Sequence, residues 1–168
     1  MENAKERLVR YLQDAHAAET GIAQMLEGFV DEADVNDSVR LLFQEHLAVT
    51  RTQADRLEQR LREIGGAPSG AKGFFNSLLS RVGEIMQAGH DDYDRTTQNL
   101  VKAYATEHLE QGMYSSLIAY AEACGDEKTA MLAEEIMAEE EEAALKIFPM
   151  IEVASQRTYD AAIGRPTA

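Results

Sequence analysis

The sequence is poor in cysteine, tryptophan and proline, and it lacks a long apolar run. Its 168 residues include one cysteine, Cys124, three prolines and no tryptophan. A single cysteine excludes an internal disulfide framework and a four-thiolate zinc site. Nowhere do about 18 uncharged apolar residues follow one another, so no membrane-spanning helix is expected. The first residues also lack the apolar core of a signal peptide, and we therefore expect a cytoplasmic protein.

Basic residues are scarce as well. Lysine and arginine together number 16 against 30 aspartates and glutamates, which gives a formal net charge of −14. Nucleic-acid backbones and anionic lipid surfaces would repel such a chain, so neither is expected as a partner. A hydrophobic content of 45% is too high for an acidic disordered segment. The composition indicates a globular domain for which cations are natural ligands.

Long stretches without proline are rich in helix-forming residues. Apolar residues recur at intervals of three and four, which predicts helices over residues 4–30, 39–64, 93–124 and 127–162. Gly65-Gly66 and Gly125 are expected to end the second and third helices. Residues 34–38 and Asp126 offer turn and N-cap chemistry before the second and fourth. Pro149 removes a backbone donor and predicts a kink in the fourth helix.

The connections between these helices are short, long and short. Short loops force antiparallel neighbours, whereas the connection over 65–90, with a short amphipathic stretch at 74–86, can cross the end of a bundle. The sequence therefore predicts an all-α, ferritin-like four-helix bundle made of two antiparallel hairpins joined by a long crossover with a short helix. We assign residues 1–158 to this single domain and 159–168 to a C-terminal tail.

Several polar residues interrupt the apolar faces of the predicted helices. With about 100° between successive residues, the residues that fall on or beside these faces are Glu19, His46, Glu107, Glu110, Glu139 and Glu140. Counting back from the turns near residues 34 and 125 places them at one depth near the middle of the bundle. Carboxylates that converge there need compensation, because each buried charge costs several kcal/mol and like charges raise each other's pKa.

Divalent cations would supply that compensation. Two such ions carry four positive charges, which about four carboxylates neutralise. Carboxylates with one or two imidazoles suit iron or manganese better than zinc. The candidate metal ligands are therefore the same six residues: Glu19, His46, Glu107, Glu110, Glu139 and Glu140. The alternatives are salt bridges between helices for Glu19 and Glu107, a hydrogen-bonded core histidine for His46, and a solvated acidic surface for the glutamates of the fourth helix.

Four groups of residues resemble a known family. They are Phe43-Gln44-Glu45-His46-Leu47, Arg56-Leu57-Glu58, Glu107-His108-Leu109-Glu110 with Tyr114 and Leu117, and Glu139-Glu140. In their order and spacing, and in the short crossover helix, the chain resembles the YciF-type ferritin-like family over nearly its whole length. The resemblance implies a bacterial stress-associated protein, often a homodimer, with a dimetal carboxylate centre between its helices.

The chain also departs from the family pattern. Where the family typically has a glutamate and a second histidine after His46, this chain has Val49 and Gln53, and no histidine follows Glu139 at three or four positions. The expected cofactor is therefore two iron ions, or one with an asymmetric second site, with manganese as the alternative metal. The functions to distinguish are oxidase, peroxide-handling or iron-buffering chemistry, and a metal-free bundle that serves as an interaction or scaffold module.

Overall fold

The computed structural model describes residues 3–33, 38–69 and 92–164. They form four α-helices, and no strand occurs among them: α1 (Ala4–Glu32), α2 (Ser38–Glu63), α3 (Asp92–Ala123) and α4 (Glu127–Ala162). The predicted all-α class is confirmed, and each helix boundary lies within two residues of its predicted position. Residues 159–162, assigned from the sequence to the tail, continue α4. In these ranges no helix is apolar enough over a sufficient length to cross a membrane.

The ends of the helices follow from local sequence. Gly65 and Gly125 have φ angles of 81° and 70°, a left-handed conformation that glycine adopts without steric cost. After Gly125, the backbone N–H of Asp126 donates to the carbonyl of Ala121 over 2.9 Å, and the Asp126 side chain then accepts from the N–H of Thr129. Both predicted helix stops and the predicted N-cap are thus confirmed.

Two other sequence predictions have different outcomes. The predicted turn residues 34–37 and the crossover stretch 74–86 lie outside the described residues. α4 continues as a helix through Pro149, and the kink expected there stays a prediction.

Two apolar clusters fill the interior of the bundle. α1 packs mainly on α2 and α3 mainly on α4, and contacts of α1 with α3 and of α2 with α4 join the two hairpins. The Phe43 cluster includes Ile22, Leu26, Phe29, Phe43, Leu47, Leu100 and Ile147. The Leu57 cluster includes Leu8, Leu12, Leu57, Leu61, Tyr114, Leu117 and Ile136. Between them along every helix lie buried polar side chains, which we call the polar layer: Glu19, His46, Gln53, Glu107, Glu110 and Glu140.

The glycine at the α3–α4 turn provides a test of this description. Replacing Gly125 by alanine is expected to lower the free energy of unfolding by about 1 kcal/mol, because the left-handed conformation disfavours a Cβ atom. Gly112 is the matched control, since it lies inside α3 and an added Cβ meets no described atom within 4 Å. There, alanine should stabilise the protein by up to about 1 kcal/mol. Urea denaturation measures both changes. Equal effects of the same sign would contradict the left-handed conformation of Gly125.

Candidate metal centre

Five of the six predicted ligands meet in the polar layer. Glu19 comes from α1, His46 from α2, Glu107 and Glu110 from α3, and Glu140 from α4; all are buried, and His46 is the most exposed at 6%. Their ligand atoms form two groups of three, within each of which the atoms lie within 4.8 Å of one another. We call His46, Glu107 and Glu140 the His46 triplet, and Glu19, Glu110 and Glu140 the Glu19 triplet. Glu140 belongs to both.

The sixth candidate, Glu139, lies outside both triplets. Its carboxylate accepts two hydrogen bonds of 2.7 and 3.0 Å from Nη1 of Arg56, and its side chain is 36% exposed. Successive residues on a helix differ by about 100° in direction, so Glu140 points into the layer while Glu139 points towards α2. The sequence predicts that Glu139 and Glu140 both lie near the apolar face of the fourth helix. Of these two, the structure brings only Glu140 to the centre.

Gln53 links these two glutamates. Its side-chain amide donates from Nε2 to Oε1 of Glu140 over 2.6 Å and to Oε2 of Glu139 over 3.0 Å. In the sequence, Gln53 shares the face of α2 that carries His46 and departs from the family pattern there, and no pattern indicates a role for Arg56. The spacing of three residues between them places both on one side of α2, which is the signal that could have indicated their common contact with α4.

Two further hydrogen bonds hold carboxylates of the centre. Nε2 of His46 and Oε1 of Glu107 are 2.9 Å apart. The hydroxyl of Tyr114, which is fully buried in the Leu57 cluster, donates to Oε1 of Glu19. Each contact fixes one oxygen of a glutamate and leaves the other directed elsewhere in the layer.

The remaining carboxylate oxygens are the most informative feature of the centre. Oε2 of Glu19, Oε2 of Glu107 and both oxygens of Glu110 are buried without a hydrogen-bond partner among the described residues. A buried polar atom left in this state costs about 1–3 kcal/mol. Metal ions would coordinate these atoms, and the four carboxylates of the two triplets would balance the charge of two divalent ions. The residues therefore fit a dinuclear site of the oxygen-rich kind that suits iron and manganese.

Burial strongly shifts the protonation of these groups. It raises the pKa of Glu107 to about 8, and burial together with the charge of Glu107 raises the pKa of Glu140 to about 9. Burial and then neighbouring carboxylates hold the pKa values of Glu19 and Glu110 well above the ordinary 4.5. For His46, burial lowers the pKa from 6.5, so the imidazole is neutral at pH 7 and keeps a lone pair for a metal ion.

Comparison with known proteins agrees with the fold. The DUF892 family, a domain of unknown function, matches residues 3–160. This chain belongs to the DUF892 family. It is 23% identical to protein YciF of Escherichia coli strain K12 over 149 residues, which are 88% of this chain and 89% of that protein. The resemblance found in the sequence is thus confirmed.

Solved structures show the same fold as this DUF892 chain. A protein from Xanthomonas campestris pv. campestris is 25% identical, with a TM-score of 0.80 over 95% of this chain and 99% of its own. The E. coli stress protein YciF is 22% identical, with a TM-score of 0.80 over 94% and 99%. A ferritin-like, diiron-carboxylate protein from Bacillus anthracis str. Ames is 15% identical, with a TM-score of 0.68 over 90% and 99%. The predicted ferritin-like four-helix bundle is confirmed.

The raised pKa values predict that stability depends on pH in the metal-free protein. The folded chain holds these protons more tightly than the unfolded chain, whose glutamates titrate near 4.5. Their contribution to stability is therefore fully present below about pH 4.5 and is lost as the pH rises through 8 to 9. We expect the Tm of chelator-treated protein to fall between pH 6 and pH 9, as measured by circular dichroism.

One isosteric variant isolates the source of that slope. Glu107→Gln removes a carboxylate that must ionise at high pH, so it should flatten the slope and raise the Tm at pH 8.5 by several degrees. Glu139→Gln is the matched control, because Glu139 is partly exposed and paired with Arg56. In this variant the change of Tm with pH should equal that of the original protein. A Tm that stays constant or rises from pH 6 to pH 9 in metal-free protein would refute the prediction.

Proposed function

We propose that this protein is a ferritin-like metal protein that binds two divalent ions in the polar layer, with iron as the first candidate and manganese as the second. The observation that supports this most directly is the pair of triplets that share Glu140, together with the buried carboxylate oxygens that have no hydrogen-bond donor. One ion would be held by the His46 triplet and the other by the Glu19 triplet.

The surrounding residues prepare such a site. Gln53 orients the shared carboxylate of Glu140, and Tyr114 orients that of Glu19. The Phe43 and Leu57 clusters limit the access of water from both ends of the bundle, which strengthens electrostatic interactions inside. A bound iron pair would exchange electrons with oxygen or peroxide, and oxidase, peroxide-handling and iron-buffering chemistry are the roles we propose.

The names of similar proteins support iron and a stress-related role. One structural relative is called a stress protein and another a diiron-carboxylate protein. We further propose a homodimer, as the family resemblance implies, and a cytoplasmic location, as expected from the sequence. Leu145 and Phe148 of α4 are 77% and 60% exposed and offer apolar surface to a second copy. The net charge of −14 disfavours nucleic acid and anionic membranes as partners.

A metal-free scaffold or interaction module is the second candidate function. Its support is Gln53, whose amide donates to Glu140 and satisfies an oxygen that a metal ion would otherwise coordinate. In that case the carboxylates would remain protonated at neutral pH, and the bundle would be stable without metal. Direct measurement of metal binding separates the two functions.

Metal binding is expected to stabilise the protein and to depend on Glu140. Anaerobic titration with Fe(II), or titration with Mn(II), should give two ions per chain, and at a free metal concentration 100 times Kd each ion adds about 2.7 kcal/mol to the free energy of unfolding. Glu140→Gln should abolish most of the rise in Tm because it weakens both triplets, whereas Glu139→Gln should keep it. An unchanged Tm and less than one ion per chain in the original protein would favour the scaffold function.

Iron oxidation provides a separate test of the proposed chemistry. Protein loaded anaerobically with Fe(II) and then mixed with hydrogen peroxide or oxygen should form ferric absorbance at least tenfold faster than Glu140→Gln protein under the same conditions. The variant Glu139→Gln should retain the rate within about twofold. Equal rates for the original protein, for Glu140→Gln and for free Fe(II) in buffer would exclude an oxidase or peroxide-handling role and leave metal buffering.

A further inference from the structure

A crevice between α2 and α4 opens to solvent beside the polar layer. Its volume is about 100 Å³, several times what a single water molecule needs. Val49 of α2 and Ala143 of α4 form part of its walls, and the exposed side chains of Glu45, Glu142 and Lys146 lie around it.

Only one residue of the two triplets lines this crevice. That residue is His46, which is also the most exposed of the five candidate ligands. Glu19 on α1 and Glu110 on α3 are only 0% and 1% exposed, and neither lines the crevice. The two ends of the layer are closed by the Phe43 and Leu57 clusters. A cation that follows the crevice from solvent therefore meets the His46 triplet first and the Glu19 triplet only afterwards.

The carboxylates around the crevice attract a cation, whereas one ammonium group there repels it. Glu45, Glu139 and Glu142 contribute three carboxylates to the crevice, and Lys146 contributes an ammonium group. Arg56 already pairs with Glu139, while Nζ of Lys146 lies 2.8 Å from Oε1 of Glu142 and is attracted by Glu45 as well. The ammonium group thus occupies the position among the carboxylates at which an arriving cation would be drawn.

We propose that this crevice is the route by which a divalent cation reaches the buried centre, and that Lys146 slows its passage. The inference rests on the proposed metal-binding function and adds to it a path and an order, from the His46 triplet to the Glu19 triplet. No residue at the crevice mouth needs to bind the ion tightly; the residues there control the rate of binding and not its equilibrium.

Blocking the crevice tests the path. Co(II) alone is the probe, because its visible absorption reports binding in a stopped-flow mixer. Ala143→Phe should slow both association and dissociation at least tenfold and leave Kd within about threefold of its original value. Ala138→Phe is the matched control on the exposed side of α4 and should change neither rate. If Ala143→Phe does not fold, as judged by circular dichroism, Val49→Phe fills the crevice from the opposite wall.

Reversing the charge at the mouth tests the role of Lys146. Lys146→Glu should speed Co(II) association about threefold or more at low salt, with the gain disappearing in 0.5 M salt as the charges are screened. Lys128→Glu makes the same change in net charge on the same helix, about 27 Å away at 1.5 Å per residue, and should have little effect. Equal acceleration by the two variants would show an effect of overall charge and would overturn the role of Lys146.

The outcomes also separate this inference from the function on which it rests. If the original protein binds Co(II) but neither Ala143→Phe nor Val49→Phe slows the reaction, the path is wrong while the metal centre stands. A higher Kd with an unchanged association rate in these variants would likewise overturn the path, because the crevice would then be part of the binding site. If the original protein does not bind Co(II), the metal-binding function itself fails.

Discussion

The structure depends on how four carboxylates can be buried side by side in the interior of a helical bundle. Glu19, Glu107, Glu110 and Glu140 are at most 1% exposed, and ionising all four without counter-charge would cost more than a domain of this size can supply. Either protons or cations must neutralise them. The same constraint explains the raised pKa values, the oxygens without hydrogen-bond donors and the geometry of the two triplets.

The neutral amide of Gln53 links a buried glutamate of the centre to a glutamate near the surface. On one side it contacts the shared carboxylate of Glu140, and on the other it contacts Glu139, which Arg56 neutralises. An imidazole at this position would offer a nitrogen lone pair to a metal ion. The amide nitrogen of Gln53 can only donate, and the lone pairs of this side chain lie on Oε1, which is buried without a hydrogen-bond partner among the described residues. Gln53 thus holds Glu140 by a hydrogen bond, and among the described residues His46 is the nitrogen ligand that the centre offers.

Much of the fold and part of the centre could be predicted from the sequence. The helical period and the glycines at 65 and 125 located the helix ends, and counting from the turns placed Glu19, His46, Glu107 and Glu110 at one depth. The choice between Glu139 and Glu140 could not be made in this way, because both lie near the edge of the apolar face and the reach of Arg56 from another helix decides it. The crevice was equally inaccessible to prediction, since it depends on how the side chains of α2 and α4 pack against each other.

The division of the ligands between the hairpins determines at which stage of synthesis the centre can form. The α1–α2 hairpin supplies Glu19 and His46, while the α3–α4 hairpin supplies Glu107, Glu110 and Glu140. Neither hairpin contains a complete triplet. A nascent chain that has emerged from the ribosome only as far as α2 therefore holds no complete triplet. If the centre binds metal as proposed, it can form only after α4 has been translated.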